Sequence, residues 1–164
     1  VTAPPVLLGV DVLDVARITR AMAYSGDRYA AHVAGPAEAD LHPDPALAVA
    51  AAVAVKECLV KAVGGRPPGF SWHDFAATDG LVLDWAGDLL ADAVPGVEAA
   101  ASVVLTESCA YLVGGASGRA ALTRFTGAAP DPGLTVVGAA RWGWSGDLVV
   151  ALAILTTMQK GTLP

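Results

Sequence analysis

Apolar positions in this chain gather in short runs near both ends and in one long run between them. Val6 to Val12 is an apolar stretch broken by Gly9 and Asp11, and it predicts a buried strand. Asp14 suits the N-cap of a helix running from Val15 to about Tyr24, with Ile18, Ala21 and Met22 on its apolar side. Ser25-Gly26-Asp27 reads as a turn and Arg28 to Val33 as a second short helix. Pro36 and the segment His42-Pro43-Asp44-Pro45 punctuate the stretch after it. From Pro45 to Val63 the chain reads as one helix: proline suits the first turn, alanine fills the body, and Gly64-Gly65 supplies the stop.

The second half is less regular. Arg66 to Gly69 reads as a loop, and Phe70 to Ala77 and Leu81 to Trp85 as two strands joined by a turn at Thr78-Asp79-Gly80. Ala86 to Val94 predicts a helix, and Ala99 to Val104 fits either helix or strand. Gly114 to Gly118 reads as a break before a helix from Arg119 to Phe125, and Gly127 to Gly133 as a Pro/Gly linker. Leu134 to Ala140 and Leu148 to Thr156 predict the closing strands, around a turn spanning Trp142 to Asp147. No internal repeat is found. The class is α+β, one domain over residues 1–164, with strands at both ends and a long helix in the middle.

Composition narrows the functional classes. The 164 residues are 54% hydrophobic and 16% charged, which excludes wholesale disorder. The longest apolar run, Ala46 to Val55, is ten residues, short of the roughly 18 a membrane span requires. No basic start followed by an apolar core and a cleavage site is visible, so no secretory signal is expected. Two cysteines, Cys58 and Cys109, argue against a disulfide scaffold and for a reducing compartment, and a structural zinc site lacks its ligands. A cytoplasmic protein is the expectation. The net charge of −6 is the wrong sign for nonspecific nucleic-acid binding. Basic residues nonetheless cluster locally, as Arg17, Arg20 and Arg28 and again as Lys56, Lys61 and Arg66, and such patches can receive an anionic ligand or partner.

The candidate chemistry lies in Lys56-Glu57-Cys58-Leu59-Val60-Lys61, on a helix whose earlier turns carry no charge. Glu57 and Lys61 are four apart and share a face, the spacing of an ordinary surface pair. Asp11, near the end of the first strand, also fits a carboxylate satisfied by backbone donors. Brought together in a site of low dielectric, the two carboxylates would repel each other. A hard divalent cation removes that conflict, and Mg²⁺ commonly takes one or two carboxylates with substrate phosphates. Neighbouring lysines would meet the remaining phosphate charge.

Several segments, in order, resemble the holo-acyl-carrier-protein synthases, the small type of 4′-phosphopantetheinyl transferase. Gly9-Val10-Asp11-Val12 followed by Val15-Ala16-Arg17-Ile18 is similar to that family's opening signature. Ser25-Gly26-Asp27-Arg28 and Glu38 are similar to the segment that succeeds it in some members. Val55-Lys56-Glu57-Cys58 with Lys61-Ala62 resembles the second signature, and Gly69-Phe70-Ser71-Trp72-His73-Asp74-Phe75 the strand after it. The likeness covers roughly residues 6 to 76. It implies an antiparallel sheet packed against the long central helix. It further implies transfer of the phosphopantetheine arm of coenzyme A to a serine of an apo acyl carrier protein or carrier domain, with release of 3′,5′-ADP. By the same resemblance Asp11 and Glu57 hold Mg²⁺, and Asp11, Glu57 and Lys61 are the catalytic set. Lys56, Lys61, Gly64 and Gly65 contact coenzyme A, Arg17 and Arg20 face the carrier protein, and the assembly is a homotrimer.

The chain departs from the family pattern in three places. Ala52 and Val53 stand where the family has Arg-Phe, and Val137-Gly138-Ala139-Ala140-Arg141 lies where a Ser-x-Ser-His motif is usual. An additional segment is expected at about residues 97–133. These departures keep a second reading open, a non-catalytic relative that binds a carrier protein or coenzyme A. Gly114-Gly115-Ala116-Ser117-Gly118-Arg119 lacks the spacing of a phosphate loop and reads as a turn. His32, His42 and His73 show no ligand spacing, and Cys58 reads as a packing residue. Trp142 and Trp144 read as core or interface anchors.

Overall fold

The computed structural model describes residues 5–81, 84–127 and 129–162. Strand β1 (Leu7–Asp14) leads directly into helix α1 (Val15–Ser25), whose N-cap is Asp14: its Oδ1 accepts from the Ala16 amide at 2.9 Å. Gly26 at φ 57° separates α1 from α2 (Asp27–Val33). A 3₁₀ turn over Pro36–Leu41 then delivers the chain to α3 (Pro45–Val63). Local chemistry fixes both ends of α3. Asp44 accepts from the Ala46 amide, Pro45 occupies the first turn, and Gly64 adopts the left-handed conformation that closes the last turn.

The remaining elements are a 3₁₀ turn at Trp72–Asp74, β2 (Phe75–Thr78), α4 (Asp84–Ala101), β3 (Glu107–Val113), α5 (Gly115–Thr126), β4 (Leu134–Ser145) and β5 (Leu148–Gln159). The strands form one sheet in the order β1-β5-β4-β3-β2, with every neighbouring pair antiparallel. One face of the sheet receives α3. Of its nineteen residues only Pro45, Ala46, Glu57 and Lys61 are not buried, so a helix apolar on nearly every side is wrapped by protein on nearly every side. Among the described residues no helix is long and apolar enough to cross a membrane.

Helix α3 sits unusually close to β1. A side chain at Gly9 would drive its Cβ into the carbonyl oxygen of Cys58, so backbone meets backbone at this point. Gly138 on β4 instead leaves room for side chains, since a Cβ there would crowd Leu59 and Leu155. The other face of the sheet carries a second core, in which Ala86, Leu90 and Val94 of α4 cover Val150, Leu152 and Ile154 of β5.

Several elements differ from the sequence expectation. Phe75 pairs with Val113, so β2 finds its partner in distant β3 and not in a hairpin with Leu81 to Trp85. Within that expected second strand, Leu81 lies outside any strand, Asp84 and Trp85 open α4, and residues 82 and 83 lie outside the described residues. Helix α4 continues through Pro95 to Ala101; both Pro95 and Ala91 are exposed, so the helical carbonyl that proline leaves unpaired is on the solvent side. The glycines Gly115 and Gly118 lie inside α5, not in a turn before it, because the carboxylate of Asp74 caps that helix start. Asp74 Oδ2 accepts from the amide of Ser117 at 3.0 Å and from its hydroxyl at 2.7 Å. Trp142 and Trp144 stand on β4, and the hairpin turn narrows to Gly146-Asp147. The interval 97–133 supplies β3 and α5, so it includes an inner strand of the sheet.

Candidate functional site

The close approach at Gly9 places Asp11, two residues further along β1, on the same face of the strand and toward the exposed edge of α3. That edge carries Glu57 and Lys61. Asp11, Glu57 and Arg17 line a single cleft of about 340 Å³ with Tyr29, His32, Val53, Arg66 and Trp72. The elements contribute in a simple order: β1 brings Asp11, α1 brings Arg17, α2 brings Tyr29 and His32, and α3 brings Val53 and Glu57.

Each carboxylate is held by its own cation. Lys61 Nζ lies 2.7 Å from Asp11 Oδ1 and donates also to the Val10 carbonyl at 2.9 Å. The hydrogen bond from Lys61 to Asp11 raises the lysine above its ordinary range, against a smaller opposing effect of burial. Lys61 is therefore an ammonium at neutral pH. Glu57 Oε1 accepts from Arg66 Nη2 at 2.8 Å. The Arg66 guanidinium stands 4.7 Å from the centre of the Trp72 ring and 5.3 Å from that of Phe70, within cation–π range of both. Burial raises Tyr29 above the ordinary phenol range; Arg17 opposes this and Glu57 adds to it, so all three share one electrostatic neighbourhood.

Not every residue expected here is present. Lys56, expected to contact coenzyme A, points the other way and is fully enclosed. Its Nζ pairs with Glu38 Oε2 at 2.7 Å and donates to the Val33 carbonyl at 2.9 Å, while Glu38 Oε1 accepts from the Tyr111 hydroxyl at 2.7 Å. Adjacent helix positions are about 100° apart, so Lys56 and Glu57 cannot share a face. This corrects the expected role of Lys56, which has no exposed atom to offer a ligand. Gly64 and Gly65 close α3: Gly64 N–H donates to Lys61 and Val60, and Gly65 N–H to Val60. They do not line the cleft. Arg20 is exposed on α1 outside the cleft, whereas Arg17 lines it. Cys58 is buried, its Sγ donates to the Ala151 carbonyl at 3.2 Å, and burial pushes its thiol far up.

Sequence reasoning missed Tyr29, His32, Arg66 and Trp72 as cleft residues. Arg66 belonged to a visible basic group, and that signal could have found it. Val53, which departs from the family pattern, forms part of the cleft wall. Arg141, in the histidine-free segment Val137 to Arg141, donates from Nη2 to the Leu105 carbonyl at 2.7 Å and takes no part in this cleft.

The two carboxylates facing one cleft are a donor set that suits Mg²⁺, which needs only one or two carboxylates when phosphate and water complete its shell. Among the described residues no group of three or more acidic, histidine or cysteine side chains could hold a metal unaided. The fit is thus to a cation shared with an anionic ligand.

No protein-family model matches this chain. The fold is that of a small synthase of known structure: over 94% of this chain and 99% of the other, it is similar to the ACPS–CoA complex of Chronobacterium ammoniagenes, with a TM-score of 0.55 at 18% identity. Curated relatives are closer in sequence. The holo-acyl-carrier-protein synthase of Anaeromyxobacter dehalogenans strain 2CP-1 is 42% identical over 88 residues, which are 47% of this chain and 68% of the relative. That of Anaeromyxobacter sp. strain K is 39% identical over 95 residues, 48% of this chain and 73% of the relative. The chain belongs to the holo-acyl-carrier-protein synthase family. It covers only 55% of the relative from Roseiflexus sp., at 40% identity over 76 residues.

Proposed function

We propose that this protein transfers the 4′-phosphopantetheine arm of coenzyme A to a serine of an apo acyl carrier protein or carrier domain, releasing 3′,5′-ADP. The observation that carries the reading is the convergence of Asp11 and Glu57 on one cleft that also holds Arg17. The serine oxygen bonds to the phosphorus bearing the pantetheine arm, and the bond from that phosphorus to the ADP oxygen breaks. Lys61, already protonated, serves as a fixed cation beside the diphosphate and not as the base; the hydroxyl proton leaves to solvent. Asp11 and Glu57 would hold Mg²⁺, which supplies neutralisation of the diphosphate charge. Phosphoryl transfer asks a protein mainly for such positioning and charge compensation. Arg17 and Arg20, both on α1, offer a basic face to an acidic carrier protein.

The proposal includes a single transferase domain with an added segment at about 97–133, acting in the cytoplasm on carriers of fatty acid or polyketide synthesis. It also includes a homotrimer, and exposed Leu8, Val12 and Leu148 near the β1 edge supply apolar surface that an assembly would cover. A non-catalytic relative is the second reading. It is favoured by Ala52 and Val53 in place of Arg-Phe and by the missing histidine on β4. Incubation with coenzyme A, Mg²⁺ and an apo carrier protein, with intact mass as the readout, separates the two. Gain of one phosphopantetheine, lost in Glu57→Gln, supports transfer; coenzyme A binding without any gain across several carriers supports the second reading.

A further inference from the structure

The two cations that neutralise the cleft carboxylates are not equivalent. Lys61 makes two contacts, to the Asp11 carboxylate and the Val10 carbonyl, and it stands on the last turn of α3. Arg66 lies in the loop beyond that helix and reaches Glu57 through one nitrogen. Its remaining contacts are with the rings of Trp72 and Phe70, whose attraction for a guanidinium does not require Glu57. Arg66 is also about half exposed, so solvent can replace what it loses on leaving Glu57.

We propose that Arg66 is a displaceable counter-ion of Glu57, occupying the carboxylate until a divalent cation takes it, with the Trp72–Phe70 faces as the perch to which it retires. The inference rests on the proposed function, in which Glu57 holds a metal. It adds a residue that the metal must evict, and hence one that sets how tightly the cation binds. The role is one of positioning, acting through Glu57.

The test is a titration with Mn²⁺ alone, with bound and free metal distinguished by electron paramagnetic resonance, on the intact protein and three variants. Arg66→Gln removes both the competing pair and a repelling charge. Both effects are modest for groups this exposed to water, so Mn²⁺ should bind about three- to tenfold more tightly. Arg66→Lys keeps the charge and should stay within about twofold of the parent by the same reckoning. Glu57→Gln should weaken binding. A purely structural Arg66 would give the opposite sign, because a loosened loop weakens a site. Unchanged or weaker Mn²⁺ binding in Arg66→Gln, with Glu57→Gln still impaired, overturns the counter-ion role and leaves the metal reading standing. Mn²⁺ binding that Glu57→Gln does not reduce, or none in any variant, overturns both.

Discussion

Removing the ammonium of Lys56 isolates a carboxylate in the protein interior, and the consequence can be worked from the contacts. Lys56 and Glu38 are each at most 1% exposed, and their charges meet at 2.7 Å. In Lys56→Met the methionine fills the channel, but the buried Glu38 carboxyl loses its cation and keeps only the Tyr111 hydroxyl and the Gly35 amide as donors. The Val33 carbonyl at the end of α2 loses its donor as well. Breaking one side of a buried pair costs about 3–5 kcal/mol, a large fraction of the roughly 5–15 kcal/mol by which domains of this size are stable. Adding Glu38→Gln removes the stranded charge while keeping an acceptor for Tyr111. The double variant should therefore be more stable than Lys56→Met alone, with a coupling of at least about 1 kcal/mol. Urea unfolding monitored by tryptophan fluorescence measures all four corners of the cycle. If Lys56→Met does not fold, recovery of folding on adding Glu38→Gln carries the same information. A loss under about 1 kcal/mol for Lys56→Met, additive with Glu38→Gln, would refute the view that this pair locks α2 and the Pro36–Leu41 turn onto α3.

The same packing sets two further outcomes. Gly9→Ala should lower stability by about 1–3 kcal/mol or more, since its Cβ would meet the Cys58 carbonyl and push α3 from β1; Gly87→Ala, which has open space around it on α4, should be neutral or stabilising in the same thermal melts, and equal melting temperatures would contradict the close approach. At alkaline pH Tyr111 contributes a loss of stability, because its phenol is raised well above its ordinary value, chiefly by burial. Its contribution is fully present below the unfolded value near 10 and is lost as pH rises toward the folded value, because only the unfolded chain releases the proton. Stability should thus fall by about 1.4 kcal/mol per pH unit from this group above pH 10. Lys61, raised by Asp11, adds a loss of the same sign at higher pH. Unfolding curves of Tyr111→Phe should show a shallower alkaline slope, and an unchanged slope would refute the assignment.

The legible parts of the chain are those whose cause is local. Helix α3 could be read from Pro45 to Val63 because its ends are set by residues that act within one turn, Asp44 and Pro45 at the start and Gly64 at the stop. Asp14 capping α1, and the apolar runs that became β1, β4 and β5, belong to the same kind. Asp11 and Glu57 were expected to converge, and both line one cleft; Arg17, expected to face a carrier protein, lines the same cleft, and Lys61 does not.

What tertiary structure decided was direction and partnership. An all-apolar helix has no stripe to say which side a charge will leave by, so only packing could turn Lys56 inward to Glu38 and Glu57 outward to Arg66. Strand β2 carries four residues, too few to announce a partner, and its pairing with β3 spans thirty-odd residues of intervening chain including α4. Periodicity is a property of neighbours a few positions apart. A salt bridge from Lys61 to Asp11, or a guanidinium lodged between Glu57 and Trp72, depends on where the backbone returns, and the chain fixes that only once the whole core has closed.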